Sequence, residues 1–503
     1  MMNEYVVRTK LPSITELRTR ASRISFIMKI IESEFHRSIS SRYVMAEKKK
    51  QFEGNNYDLE NFSSTVTITS LNKDVYNDKD DLYNPFDQRD KKNANSDSGS
   101  LAHLLKASLG TGILAMPSAI KNGGLLFGGV CTILLGILCA HCVHILVRSS
   151  HALCKKSRTP LMTYAQTAGA AVRLGPKKFR PFANFAETFV DAALAATCIS
   201  GGCVYVVFVS TSIKQVADFH SGSDISIRLY IAMLLPAVIA LGQIRNLKHL
   251  VPFSVMANIC IVIGFGITLY YLFQDIKPIN SVKMIATVPQ LPKFLATVIF
   301  AIEGIGVVMP VENSMRTPEH FLGCPGVLNI AMSVVVGLYV VIGVFGYLNY
   351  GEGVLGSVTL NLPTADVLGQ CVKLLIALAI LFTYGLQYYV GMDIIWGYAK
   401  RHVSNAFHGV AETVLRVIGV LLTVILAIAV PDLEPFISLI GAVFFSILGI
   451  AIPAIVETIS CWDRHLGVFK WRLWKNGFLV VVALLALVFG SWISILEIIK
   501  LYD

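Results

Sequence analysis

Charged residues are scarce in this chain. Asp, Glu, Lys and Arg make up 15% of its 503 residues, whereas 54% are hydrophobic. Soluble domains usually carry about 25% charged residues, so the composition argues against an ordinary soluble protein. The apolar residues instead form blocks of about twenty, the length with which a helix crosses a bilayer.

Several common functional motifs are also missing. The ten cysteines show no paired spacing for a metal ion, and most of them fall inside apolar blocks. The sequence Gly110-Thr111-Gly112 is not followed by Gly-Lys-Ser/Thr, which excludes a P-loop. The basic residues form no stripe with interleaved aromatics, which argues against a nucleic-acid partner. With no nucleophile constellation either, the sequence predicts neither an enzyme nor a cofactor or metal site.

The first 100 residues contain no apolar block long enough to cross a membrane. Residues 1–50 hold eleven Lys and Arg against five acids, and residues 51–100 hold five against ten. This composition predicts a mostly disordered tail whose basic first half suits contact with anionic lipid. No cleavable signal peptide is expected, because the opening residues lack a clean apolar core before a cleavage site.

Eleven hydrophobic blocks follow and are named spans 1 to 11. They lie at residues 101–121, 125–148, 181–212, 227–243, 251–273, 292–314, 326–349, 367–396, 411–430, 435–457 and 476–498. We expect residues 101–498 to form one transmembrane domain with membrane lipid around it. Residues 499–503 then form a short C-terminus.

The links between spans differ in charge. The link between spans 2 and 3 carries seven basic residues, and the link between spans 10 and 11 carries four, whereas those after spans 7 and 9 carry none. Basic links stay on the cytosolic side of membrane proteins. The pattern therefore predicts a cytosolic N-terminal tail and, with an odd number of spans, a non-cytosolic C-terminus.

Spans 1 and 6 contain matching helix breakers. Span 1 contains GTGILAMP, beginning at Gly110, and span 6 contains GIGVVMP, beginning at Gly304. Glycine and proline weaken a helix, and the backbone groups they free are tolerated at membrane depth only beside a cavity or a ligand. The pattern therefore predicts discontinuous helices. Close helix packing at small residues is the alternative explanation for such glycines.

The spacing of the two breaks indicates an internal repeat. Because they lie in spans 1 and 6, the repeat unit has five spans, and an odd unit inserts its second copy upside down. This predicts a five-plus-five inverted repeat with span 11 added. In such folds the breaks meet at the midplane, where free amides and carbonyls suit an amino-acid zwitterion. We expect its backbone site at Gly110, Thr111, Gly112, Gly304, Ile305 and Gly306.

Long motifs spread over residues 83–498 resemble the proton-coupled amino-acid transporters of the amino acid/auxin permease superfamily, specifically insect-like members. They are YNPFDQR (83–89), the GTGILAMP element, IRNLKHLVPFS (244–254), FAIEGIGVVMPVEN (300–313), GSVTLNLP (356–363) and VPDLEPFISLIGA (430–442). The resemblance implies a LeuT-like fold. It also implies proton-coupled symport of small neutral amino acids at the plasma membrane or at a lysosomal or late endosomal membrane, with H+ as the coupling ion.

Three side chains are candidates for roles in that transport. The resemblance implies a proton-coupling role for His103, an imidazole that gains and loses protons in the physiological range. Glu303, beside the second break, would meet the substrate ammonium or carry the proton. Tyr205 in span 3 would present a phenol to the substrate carboxylate or pack as an aromatic. Lys106 is expected to extend toward the cytosol.

Glu312 and Arg316 have the spacing of an ordinary ion pair on a helix surface, and we expect no transport role for them.

Two other functions stay open at this point. One is an amino-acid-sensing receptor that signals to a cytosolic partner through the N-terminal tail, and the other is sodium-coupled amino-acid transport.

Overall fold

The computed structural model describes residues 83–89, 94–108, 110–302, 304–462 and 466–502. At Leu247, Lys248, Val251, Ile305 and Val468 it describes the backbone alone. Most of the predicted tail, and Glu303 among the candidate site residues, lie outside the described residues. Predictions for them are not tested by the structure.

Each of the eleven predicted spans corresponds to helix in the described residues. Spans 2, 3, 5, 7, 8 and 9 are the helices Leu125–Ser157, Ala183–Ser221, Leu247–Leu272, Val327–Tyr350, Val367–Ala399 and His408–Ala429. Span 4 is divided into Ile227–Met233 and Leu235–Gly242. Spans 10 and 11 each contain a π-helical section: Leu433–Ile440, Gly441–Ala451 and Ile452–Ser460 in span 10, and Trp471–Leu485, Ala486–Gly490 and Ser491–Lys500 in span 11.

Spans 1 and 6 are interrupted, as predicted. Span 1 consists of Asp97–Ser108 and Thr111–Gly123, and span 6 consists of Leu291–Ile302 and Ile305–Asn313. Nine helical stretches of the described chain are long and apolar enough to cross a membrane. The two spans that are not among these nine are span 4, a 16-residue helix pair at Ile227–Gly242, and the interrupted span 1.

The helices pack in a pattern that repeats after five spans. Span 1 packs against span 6, span 2 against span 7, and span 3 against span 8. Span 8 also packs against span 5, and span 3 packs against span 10 in the same way. Exchanging the two five-span units therefore preserves these contacts, as an inverted repeat requires. The predicted all-α, five-plus-five fold is confirmed, with span 11 packed outside the repeat against spans 6 and 10.

Two sides of the helix bundle are named by their links. The side with the links between spans 2 and 3 and between spans 10 and 11 is called the basic face, and the other the opposite face. On the basic face, the link helix Tyr164–Arg173 is capped by Thr163, whose hydroxyl accepts from the backbone N–H of Gln166. This helix packs against span 3.

Part of the predicted tail is folded onto the basic face. A short 3-10 turn forms at Pro85–Gln88, and the first half of span 1 begins at Asp97, four residues before the predicted span. Asn95 pairs through its backbone with Ser314 and Arg316, just after span 6. Hydropathy could not reveal these contacts, because they depend on hydrogen bonds of a polar segment rather than on apolar burial.

Candidate substrate site at the two interrupted helices

The two breaks are shorter than the motifs that predicted them. Gly110 and Gly304 have non-helical backbone angles and precede the second halves of spans 1 and 6. Thr111, Gly112 and Gly306, by contrast, are already helical, and so is the backbone of Ile305. Pro117 and Pro310 also lie inside the second half-helices. Among the described residues at the two breaks, Gly110 and Gly304 are therefore the ones that lie outside the half-helices.

The two interrupted spans touch at Gly112. A Cβ atom at this position would lie 2.9 Å from Ala301 Cα and 3.0 Å from Ala301 O, at the end of the first half of span 6. Only a glycine lets the two backbones approach this closely. The breaks, almost 200 residues apart in sequence, are thus neighbours in space, as the sequence analysis predicted.

One tyrosine joins the ends of both first half-helices. The hydroxyl of Tyr339 in span 7 lies 2.6 Å from Ser108 O and 2.9 Å from Ala301 O. The side chain is buried. The last carbonyls of a helix lack hydrogen-bond partners within that helix. Here the hydroxyl of Tyr339 donates to one such carbonyl from each of the two broken spans. Tyr339 therefore couples the position of one break to that of the other.

A narrow cavity reaches both breaks from between spans 1, 2, 6 and 7. Ser108 and Gly304 contribute to its wall, and most of the rest is aliphatic, including Leu104, Val143, Val307 and Val335. Its interior has space on the scale of one water molecule. An amino acid therefore fits only if the surrounding helices move.

The predicted side chains fall in different places. His103 is exposed on the first half of span 1, and Lys106 Nζ donates to Ser254 Oγ of span 5 at 2.7 Å. Tyr205 is half-buried in span 3. The span 3 residue close to Gly306 is Leu194, eleven residues earlier and thus about 16 Å away along the helix. The structure therefore brings the backbone residues of the site together but does not bring Tyr205 to Gly306.

A buried ionic cluster closes the opposite face. Glu434, at the start of span 10, contacts Lys121 of span 1 at 3.3 Å and Lys293 of span 6 at 2.9 Å. Asn122 Nδ2 donates to Glu434 Oε1 at 2.8 Å, and Lys293 also contacts Glu497 of span 11 at 2.6 Å. One carboxylate thus holds the ends of both broken spans against span 10.

A second cluster closes the basic face. Glu312, at the end of span 6, is fully buried and contacts Arg89 Nη1 at 2.9 Å and His151 Nε2 of span 2 at 2.7 Å. The predicted pair of Glu312 with Arg316 is wrong: Arg316 is exposed, and its backbone N–H donates to Asn95 O. The carboxylate instead contacts the buried Arg89 and the half-buried His151 of span 2, which are charge-assisted partners less exposed to water than Arg316.

Comparison with known proteins identifies the family. The model of the family described as "Transmembrane amino acid transporter protein" matches residues 96–496. The chain belongs to this transmembrane amino acid transporter family. It is 41% identical over 421 residues to the "Proton-coupled amino acid transporter-like protein pathetic" of Drosophila melanogaster, covering 84% of this chain and 89% of the fly protein. It is 26% identical to the "Amino acid transporter AVT3C" of Arabidopsis thaliana, covering 79% and 90%.

Solved structures with a similar course of the chain include two transporters. The crystal structure of MhsT in complex with L-phenylalanine gives a TM-score of 0.45 at 14% identity, covering 78% of this chain and 98% of MhsT. Mhp1, a nucleobase-cation-symport-1 family transporter in a closed conformation with bromovinylhydantoin bound, gives 0.45 at 10% identity, covering 82% and 94%.

Membership of the transmembrane amino acid transporter family confirms two predictions. The chain is a multi-pass membrane protein that transports amino acids, and its relatives are transporters rather than enzymes.

Sequence reasoning missed Tyr339, because an isolated tyrosine in an apolar span carries no sign of what it contacts. It also missed Lys121, Lys293 and Glu434, although charged residues at span ends were a usable signal.

Proposed function

We propose that this protein moves small neutral amino acids together with protons across a membrane by alternating access. The observation that carries the proposal is the junction at Tyr339, where the ends of both interrupted spans meet. Broken helices at membrane depth are tolerated beside a cavity or a ligand, and this pair forms one shared site rather than two separate packing defects.

The backbone of the junction suits both charges of an amino acid. The second half-helices begin at Thr111 and Ile305, so their first N–H groups and positive dipole ends favour a carboxylate. The carbonyl ends of the first half-helices, near Ser108 and Ala301, favour an ammonium group. A zwitterion can satisfy both without a charged side chain from the described part of the chain.

The surroundings favour a small, uncharged side chain in the substrate. Spans 1 and 6 are in backbone contact at Gly112 and Ala301, and the cavity beside the breaks has a mostly aliphatic wall. An ionised substrate side chain would lose its hydration there with no described partner. Alanine, glycine and proline are the first candidates.

Closures on both faces support alternating access. Glu434 ties spans 1 and 6 to span 10 on one side, and Glu312 ties the end of span 6 to Arg89 and span 2 on the other. A carrier must open one side while the other stays closed, so each cluster is expected to break in turn. We propose that the basic face is cytosolic and that the membrane is the plasma membrane or that of a lysosome or late endosome.

Proton coupling is supported by the exposed His103 on the first half of span 1 and by the name of the fly relative, a proton-coupled amino acid transporter-like protein. An imidazole can take up a proton on one side and release it on the other. One pH unit supplies about 1.4 kcal/mol per proton. Glu303 stays a second candidate carrier.

The test is uptake into proteoliposomes. With the full chain reconstituted, uptake of labelled alanine should rise when the outside is acidified and should not need sodium. His103→Ala should remove the response to pH, whereas His144→Ala, in span 2 and bonded to Asn329, should keep it. Uptake that needs sodium and ignores pH would refute proton coupling but leave the fold intact.

The same preparation separates transport from sensing. A chain truncated before residue 83 should transport alanine at the wild-type rate. Absence of flux in both forms, with a tail-dependent signal in cells, would instead support a receptor.

A further inference from the structure

The segment before span 1 inserts an arginine into the interior of the basic face. Arg89 is 4% exposed at its side chain; its Nε donates to Pro160 O at 2.9 Å, and its Nη1 donates to Glu312 Oε1 at 2.9 Å and to Glu312 O at 3.3 Å. Phe86 stacks under the guanidinium, with the ring centroid 5.2 Å from Cζ. Residues 83–89 therefore pin the link between spans 2 and 3 to the end of span 6.

A histidine shares the carboxylate with this arginine. His151 Nε2 lies 2.7 Å from the same oxygen, Glu312 Oε1, and its ring stands edge-on to Phe86 at 4.9 Å. The other carboxylate oxygen, Oε2, is buried and has no hydrogen-bond partner among the described residues. Two potential cations thus compete for one oxygen while the second oxygen stays unused.

The charge of the cluster depends on one proton. With a neutral imidazole that donates its Nε2–H, Arg89 and Glu312 cancel and the buried cluster carries no net charge. A proton on the imidazole, whose side chain is 18% exposed, leaves one net positive charge beside the fully buried Glu312 and the nearly buried Arg89, where burial makes an uncompensated charge costly. The proton also makes the imidazole positively charged, so that it repels the guanidinium of Arg89. Both effects favour the departure of Arg89, which can leave for water with its segment, whereas His151 is fixed in span 2.

Other titratable or charged groups near the cluster do not remove this dependence. Cys154 of span 2 is buried and interacts electrostatically with Arg89 and Glu312, and Tyr83 interacts with Cys154. Thiol and phenol groups are uncharged near neutral pH. Asp87 on the segment and Arg158 on the link are exposed. Arg316, after span 6, is exposed as well.

We propose that Arg89, His151 and Glu312 form a proton-binding site that controls opening of the basic face. A proton bound at His151 releases Arg89 from Glu312 and lets residues 83–89 detach; loss of the proton to the cytosol restores the closure. This rests on the proposed function, in which the basic face is cytosolic and protons are co-transported. Such a site would let a proton that arrives with the substrate open the basic face. The proton would then leave through the same face.

The test measures detachment directly, without transport. An arginine-specific protease is applied to the full-length protein in detergent, and the fragment that begins after Arg89 is quantified by mass spectrometry. Each rate is normalised to an unfolded peptide of the same sequence at the same pH. Between pH 7.5 and 5.5, wild-type cleavage should rise about fivefold or more, the usual lower size of coupling between two sites.

Two variants and one control complete the experiment. His151→Gln keeps an N–H donor but cannot bind the proton, so its cleavage should stay low at both pH values. Glu312→Gln cannot hold two cations and should be cleaved fast at both. The control His144→Gln, two turns away on the same helix, should follow the wild type.

The outcomes separate the proposals. A pH response in His151→Gln equal to that of the wild type, or a flat wild-type profile, would overturn the proton-binding site. Protection of Arg89 in Glu312→Gln would show that the carboxylate does not hold the segment. Failure of proton-driven uptake in proteoliposomes, with the cleavage pattern as expected, would refute the proposed function alone.

Discussion

Gly112→Ala is the sharpest test of the contact between the two broken spans. The added methyl group would lie 2.9 Å from Ala301 Cα and 3.0 Å from Ala301 O, both backbone atoms that no side-chain rotation can move. The two spans would have to separate by several tenths of an ångström. Gly110→Ala is the matched control two residues away, because no atom lies within 4 Å of its Cβ position and its φ is −130°.

The magnitude follows from two opposing effects. Inserting a methyl group into a packed interior costs about 1–3 kcal/mol. Replacing glycine by alanine inside a helix returns about 0.5–1 kcal/mol. The net loss for Gly112→Ala is therefore about 0–2.5 kcal/mol, and its middle value of about 1 kcal/mol corresponds to roughly a fivefold change in any equilibrium that needs the packed arrangement. For Gly110→Ala we expect a change within about 0.5 kcal/mol.

Two measurements check this prediction. Thermal unfolding in detergent should show a lower midpoint for Gly112→Ala than for Gly110→Ala, and initial alanine uptake at matched protein density should fall severalfold in Gly112→Ala. Equal unfolding midpoints of the two variants would refute the reasoning, because only the methyl group at position 112 lies against backbone atoms of another span.

Other predictions concern buried polar side chains. Tyr339→Phe leaves Ser108 O and Ala301 O without their shared donor, so we expect about 1–3 kcal/mol lower stability and slower uptake, whereas Tyr347→Phe on the same helix should preserve uptake. Lys373 is buried in span 8, and its Nζ reaches Gln215 Oε1 and Thr364 Oγ1, both uncharged. Lys373→Met should therefore keep or raise the unfolding midpoint, because it removes a desolvated charge, while Lys373→Ala should lower it by leaving a cavity. A fall of equal size in both lysine variants would show that the ammonium itself is needed.

The spans and the two breaks could be predicted because their signals are local. Hydropathy over about twenty residues identifies a span without reference to any other part of the chain. A glycine that ends a helix acts mainly on its own backbone, so Gly110 and Gly304 were predicted correctly. The prolines after each break lie inside the second half-helices, because a helix packed among other helices tolerates a proline that an isolated helix would not.

The pairing of charged side chains was not predictable in the same way. Arg89 reaches Glu312 across 223 positions, and Lys121 reaches Glu434 across 313. Arg316 was the expected partner of Glu312 because it lies four residues further along the chain. Sequence spacing can reveal only such neighbours within one helix. A buried carboxylate instead takes the donors that the packing of spans 2 and 6 places beside it.

The sequence by itself determined that this is a membrane protein with a five-plus-five repeat and two broken helices, because hydrophobicity and chain stiffness are properties of short segments. Only the tertiary structure decided that Tyr339 joins the two breaks, that Glu434 closes one face, and that Arg89 and His151 share Glu312 on the other. Those contacts form between residues far apart in the chain, and their energies depend on burial and distance that exist only once the helices have packed.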